Sequence, residues 1–139
     1  MRYQAPLNEL NFALRTHGKL ADVLQLPAAQ DLALDADTVA AVLDEAAKFA
    51  EQSWVHTNRT GDVHGAKLAE GKVHTHADLA AAYRQFCEAG WAGLRAPAEF
   101  GGQGLPAVVS AACEEMWCAA NLSLSLLPML TLGAVDAIY

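Results

Sequence analysis

"GWAGLRAPAEFGGQGLP", residues 90–106, sets five glycines and two prolines in a chain otherwise rich in alanine and leucine. Such a stretch is a phosphate cradle, a tight connector or a family signature. A phosphate loop needs backbone amides converging on a helix N-terminus, normally after a strand and often with a lysine. No strand pattern precedes this stretch, and no "GK" followed by serine or threonine lies in it. Gly102-x-Gly104 lacks the third glycine of a dinucleotide fingerprint, and Pro106 removes an amide where an anion would sit. The stretch reads as a helix-to-helix connector whose glycines supply positive φ.

Helical signals flank it on both sides. Before it, "THADLAAAYRQFCEAGW" carries a stripe of Leu79, Ala82, Tyr83, Phe86 and Cys87, with Thr75 and Asp78 as a capping-box-like start. Gly90 suits the left-handed position after a helix. After it, Pro106 fits a first helical turn. Val109, Ala112, Cys113, Met116, Trp117 and Ala120 then repeat the helical spacing. A last helical segment is expected from Pro128 to Tyr139, still apolar at its end and without a capping signal, which reads as a fragment or an end covered by another chain.

Further upstream, Asp37 is the expected N-cap of a helix with Val39, Val42, Leu43, Ala46, Phe49, Ala50 and Trp54 on one face. Residues 56–77, "HTNRTGDVHGAKLAEGKVHTHA", are polar and glycine-punctuated, and read as a long loop with an extended piece around Val73. The first thirty-six residues hold a short amphipathic piece from Leu7 to Leu14 and then broken apolar spots. The expected organisation is an N-terminal extension or arm over 1–36 and a helical domain over 37–139. No internal repeat or strand alternation appears, so the fold class is all-α, a helical bundle.

Composition narrows the function classes. The 139 residues are 53% hydrophobic and 18% charged, which suits one globular core rather than a disordered chain. The net charge of -7, with basic residues scattered, speaks against nucleic acid as a partner. Cys87, Cys113 and Cys118 form no disulfide or zinc pattern and read as reduced core thiols of a cytoplasmic protein. The apolar run "LSLSLLPMLTLGAV" spans about fourteen residues around a proline, short of the roughly 20 a membrane span needs, so no span is expected.

His56, His64, His74 and His76 crowd the polar segment, but no third ligand stands at a recognised zinc spacing. They read as a solvated loop, and no metal is assigned. Glu114 and Glu115 are adjacent, so on a helix they point about 100° apart and do not face one another as a catalytic pair. Both are expected at or beyond the edge of the buried stripe.

The block "GWAGLRAPAEFGGQGLP" followed by "EEM" resembles the N-terminal signature of the acyl-CoA dehydrogenase family, "GxxGLxxPxEYGGxG" and then a helix with paired glutamates. The matching residues are Gly90, Gly93, Leu94, Pro97, Glu99, Gly101, Gly102, Gly104, Glu114 and Glu115, with Phe100 in place of the usual tyrosine. "YQAPLNELNFAL" and "NRTGDVHGAKLAEGKV" resemble the subgroup with an extended N-terminus, which includes 3-methylthiopropanoyl-CoA dehydrogenase-like enzymes. In the first of these, the pattern's aspartate falls on Glu9 or Leu10.

The resemblance covers essentially the whole chain, but only about the N-terminal quarter of such an enzyme. It implies a flavoprotein oxidoreductase of fatty acid metabolism. A glutamate base takes the α-proton of an acyl-CoA, and the β-hydride passes to FAD. It also implies that the middle β-domain, with its FAD-holding strands, and the C-terminal helical domain, with the base, lie outside these residues. No catalytic residue is therefore assigned here, and FAD is not expected to bind this chain alone. The resemblance points to Leu124, Ser125, Pro128 and Leu132 as one wall of the acyl pocket, against the alternative that Leu124 and Leu132 are ordinary core. It further implies self-association, or docking on the missing domains, through residues 122–139. A non-enzymatic helical module pairing with another chain is the competing functional reading, and a ligand- or metal-binding domain centred on the histidines is a third.

Overall fold

The computed structural model describes residues 3–138, so the expectation for Tyr139 lies outside the described residues. Three short helices open the chain: α1 (Leu7–Thr16), α2 (Leu20–Val23) and α3 (Pro27–Asp31). They bury Leu10, Leu14, Leu20, Leu24 and Ala29 in the same core as the later helices. The carboxylate of Glu51 accepts the backbone N–H of Ala5 at 2.8 Å and ties this segment down.

Helix α4 (Ala36–Phe49) begins two residues earlier than an Asp37 cap would place it. Its cap is Asp35, whose carboxylate accepts the Thr38 amide at 2.7 Å. Asp37 stands in the first turn instead, where its charge suits the helix dipole. Val39, Leu43, Ala46, Ala50 and Trp54 are buried as their spacing predicts, while Val42 and Phe49 pack at the margin of the core.

From Ala50 to Trp54 the backbone widens into a π turn, with the Val55 amide bonded to the Ala50 carbonyl five residues back. Helix α5 (Val55–His64) follows without interruption. The first half of the expected loop is therefore helix. Its polar residues carry no apolar stripe because only Thr57 of the ten is buried. Gly61 is a packing glycine, since a Cβ there would lie 3.4 Å from the Leu79 side chain.

The rest of that segment is a hairpin, β1 (Lys67–Ala69) paired antiparallel with β2 (Lys72–His74), with Leu68 opposite Val73. Glu70 and Gly71 both have positive φ, as a two-residue hairpin turn requires. Both strands are exposed, so the hairpin stands outside an all-helical core.

Helix α6 (Ala77–Glu88) starts at His76, whose ring nitrogen accepts the Asp78 amide at 3.3 Å, in place of the Thr75 cap expected. It ends at Gly90, which takes the left-handed conformation with φ 81°. Cys87 is exposed on this helix, whereas Cys113 is fully buried and Cys118 is half-buried. Only one of the three thiols is thus a true core residue.

Helix α7 (Ala107–Ile138) is a single run of 32 residues with its break at Asn121, φ -156° and ψ 92°, rather than at Pro128. By length and composition alone α7 could cross a membrane, which the fourteen-residue apolar run did not suggest. Its first half is nonetheless the central helix of the bundle. Val109, Cys113, Met116, Trp117 and Ala120 are buried, and the Trp117 indole donates to the Ala46 carbonyl of α4 at 3.3 Å.

Candidate functional site

The connector 90–106 is closed upon itself. The amides of Gly102, Gln103, Gly104 and Leu105 donate to the carbonyls of Pro97, Gly93, Ala96 and Leu94 at 2.9–3.1 Å. A Cβ on Gly102 would stand 2.0 Å from the Ala96 carbonyl oxygen, so only glycine allows this approach. Gly93 packs against Gly102, and Gly101 and Gly104 have positive φ. Pro97 leads into a single 3-10 turn, Ala98–Phe100, that leaves Glu99 exposed. With those amides already engaged, the connector does not fit a phosphate or a dinucleotide, and no flavin contact is assigned to it. Its role is to hold Leu94 in the core and to set Trp91 beside α7.

A cleft opens where the break in α7 meets the connector and the end of α6. One wall is aromatic: Phe86 stands edge-on to Trp117 at 5.0 Å, and Trp117 edge-on to Trp91 at 5.3 Å. The opposite wall is the distal half of α7, with Ser125, Pro128, Met129 and Leu132. Ser110, Glu114 and Cys118, one turn apart on the proximal half, supply a polar line between the walls. The cleft is narrow in this chain alone: its cavity volume is about 20 Å³, room for about one water molecule.

Three of the four residues expected at a pocket wall, Ser125, Pro128 and Leu132, line this cleft together. Leu124 does not, and is buried in the main core. The adjacent glutamates part as their spacing requires. Glu114 is half-buried at the cleft and accepts the Ser110 hydroxyl at 2.8 Å. Glu115 is exposed on another face, toward Tyr3. Burial pushes the Tyr3 phenol up, and the Glu51 and Glu115 carboxylates add to that shift.

Burial pushes the Cys118 thiol up as well, opposed by a hydrogen bond with Ser125 and reinforced by the Glu114 carboxylate. Cys113 lies deeper, and burial raises its pKa to about 12, with Glu114 acting in the same direction. Neither thiol is set up as a nucleophile, which would need a depressed pKa.

A buried polar ring fixes the distal wall. The Trp54 indole donates to the Ser125 hydroxyl at 2.9 Å, and Ser125 donates to the Asn121 carbonyl at 2.9 Å. The Asn121 side-chain amide donates to Thr57 at 2.8 Å, and Thr57 donates to the Trp54 carbonyl at 2.6 Å. Asn121 also caps the distal half of α7, its side-chain oxygen accepting the Leu124 amide at 3.1 Å. Sequence reasoning had passed over Asn121, Thr57 and Trp91 as site-forming residues. An asparagine just before an apolar helical run is an N-cap signal, and it could have located the break.

The histidines do not converge on an ion site. His64 and His76 stack with centroids 4.6 Å apart, and among the described residues no three His, Cys, Asp or Glu side chains group as metal ligands.

Residues 36–139 match the family model described as the acyl-CoA dehydrogenase N-terminal domain. The chain belongs to the acyl-CoA dehydrogenase family. It is also 38% identical over 138 residues to the 3-methylmercaptopropionyl-CoA dehydrogenase of Ruegeria pomeroyi. That alignment covers 99% of this chain and 23% of the relative, so the chain spans under a quarter of the relative's length. In acyl-CoA dehydrogenase terms, the closed connector and the broken α7 are the two parts of this N-terminal domain that build the cleft.

Proposed function

We propose that this chain acts as the N-terminal domain of a flavin-dependent acyl-CoA dehydrogenase, where its cleft forms one wall of the acyl pocket. The convergence of Ser125, Pro128 and Leu132 on one aromatic-backed cleft, within a domain of this family, is the observation that supports the reading. The polypeptide contributes shape and a dry apolar surface. The bound flavin of the whole enzyme would supply the hydride acceptor. No base is assigned here, and the 139-residue chain on its own is proposed to be inactive and flavin-free. The whole protein would act on an acyl-CoA in the cytoplasm, a compartment that suits three free thiols. The relative's name makes 3-methylmercaptopropionyl-CoA the first substrate to try.

The test compares the 139-residue chain with a longer polypeptide that includes it. Only the longer form should show a flavin spectrum and reduce an electron acceptor with an acyl-CoA. Within that form, Leu132→Phe should shift preference toward shorter acyl chains, by about 1–3 kcal/mol per excluded methylene. Flavin binding and turnover by the 139-residue chain alone would refute the assignment of roles. Unchanged chain-length preference in Leu132→Phe would refute the pocket wall.

The exposed Leu122, Leu126, Leu127 and Leu130 favour a second role for the distal half of α7 as a contact surface, on the enzyme's other domains or on another chain. Continuation of the reading frame beyond Tyr139 into a flavin-binding segment would decide for the enzyme, and a stop codon there for a separate module.

A further inference from the structure

Among the described residues, 62–75 is the longest stretch in which every residue is exposed. It is nonetheless ordered, as the hairpin of β1 and β2, with its ends brought together by the stack of His64 on His76. The register gives the hairpin two unlike faces. Leu68 stands opposite Val73, so both project to one side, where they are 76% and 70% exposed. Lys67 opposite His74, and Ala69 opposite Lys72, project to the other side. One face is therefore apolar and the other basic.

A two-stranded hairpin alone is marginal in water and gains stability when a hydrophobic face packs on something else. The described residues leave the Leu68–Val73 face open to solvent. Lysines are a common guard against unwanted pairing of a free strand, and here both sit away from the apolar pair. Only one side of the hairpin is thus suited to contact.

The size of that face selects its occupant. A stable contact between separate proteins buries roughly 1,200–2,000 Å². A face two side chains wide falls far short of that. Within one polypeptide the same face suffices, because a tethered partner is present at an effective concentration on the order of millimolar. The relative that this chain matches is more than four times as long, and the alignment covers 99% of this chain, hairpin included.

We propose that the Leu68–Val73 face is the seat of an apolar segment of the same polypeptide, lying after residue 139 in the whole enzyme. This rests on the reading of the chain as the N-terminal domain of a longer enzyme. The basic face stays in solvent, and the seat is a contact separate in sequence from the exposed leucines of α7.

Hydrogen exchange of residues 62–75, read by mass spectrometry, compares the 139-residue chain with the longer polypeptide, with α4 as the reference for folding. Exchange should be roughly tenfold slower in the longer form, at every protein concentration. In that form, Leu68→Ser with Val73→Thr should return exchange to the rate of the 139-residue chain, with α4 still protected. Lys67→Ser with Lys72→Ser, on the other face, should leave it slow. Equal exchange in the two wild-type forms overturns the seat, even where the longer form holds its flavin and the functional reading stands. A longer form without flavin would sink that reading, and the hairpin's protection in it would still decide the seat. Protection lost on dilution overturns the tethered occupant in favour of a second copy. Protection that survives Leu68→Ser with Val73→Thr overturns the face itself. If that pair of changes unprotects α4, Leu68→Ala alone decides: faster exchange with α4 protected supports the seat, and a wild-type rate overturns it.

Discussion

The Trp54 indole and the Ser125 hydroxyl meet at 2.9 Å in the interior, 71 positions apart in sequence, and join the π turn to the distal half of α7. Trp54 is fully buried, so its N–H has no water to fall back on. Ser125→Ala should therefore cost about 1–3 kcal/mol, the penalty for a buried donor left alone. Ser125→Thr, which keeps the hydroxyl, should cost less unless the added methyl crowds the cleft. Urea unfolding of the three proteins checks the order.

Two glycines of similar appearance in the sequence should respond in opposite directions to alanine. At Gly102 the new Cβ would collide with the Ala96 carbonyl, so the connector must open and the loss should exceed the ~1 kcal/mol of an ordinary glycine replacement. At Gly133, in the helical distal half of α7, nothing lies within 4 Å of the new Cβ. Gly133→Ala should stabilise by roughly 0.5–1 kcal/mol through helix propensity alone. Thermal unfolding followed by circular dichroism reads both.

Asp35 links stability to acidity. Its hydrogen bond to Thr38, first the side-chain interaction and then the backbone amide, holds its carboxyl below the ordinary carboxylate range. Because the folded-state pKa is depressed, the contribution is present above the unfolded value of about 3.9 and is lost as pH falls through the lower folded value. Asp35→Ala should thus lower the melting temperature at neutral pH, and the gap from wild type should close in acid. Asp35→Asn should keep the cap and remove the pH dependence. A gap that stays constant down to acid pH would contradict the capping role.

Leu126 and Leu130 stand one turn apart on the exposed side of α7, Leu130 at 72% exposure. The isolated chain should self-associate at high concentration through this side. Leu126→Lys together with Leu130→Glu should shift sedimentation toward the monomer without changing helicity. A wild-type chain that stays monomeric at millimolar concentration would rule the surface out.

The helices with an apolar stripe were legible because burial on one side writes a period into the sequence. Val109 through Ala120 did so on α7, as did Val39 through Trp54 on α4. Helix α5 was not legible. It is held from one end by the π turn and touches the core through half-buried Val55 and buried Thr57, so its remaining polar residues look like a loop. Gly61 deepened the error, since a glycine chosen for contact with Leu79 is indistinguishable by sequence from one chosen for a turn. Of the hairpin only the extended piece around Val73 was legible; its turn was not, because Glu70 takes a left-handed conformation usually signalled by asparagine or aspartate. At the cleft, Ser125, Pro128 and Leu132 were reached through the family resemblance, since spacing alone does not separate a pocket wall from ordinary core. The part of Trp91, and the tie from Arg95 to Asp136, depend on how the connector folds back, which no local pattern records.

The extra residue accommodated between Ala50 and Trp54 also sets the clocking of everything that follows. Each residue turns an α-helix by about 100°, so deleting one there, Gln52 for example, would leave a uniform rod whose downstream half is rotated by that angle. Ala46 would still meet Trp117, but Thr57 would look away from Asn121, and the two contact surfaces of the rod could no longer be in phase with α7 together. A five-residue irregularity thus acts as the vernier by which one continuous helical run serves both halves of a broken neighbour.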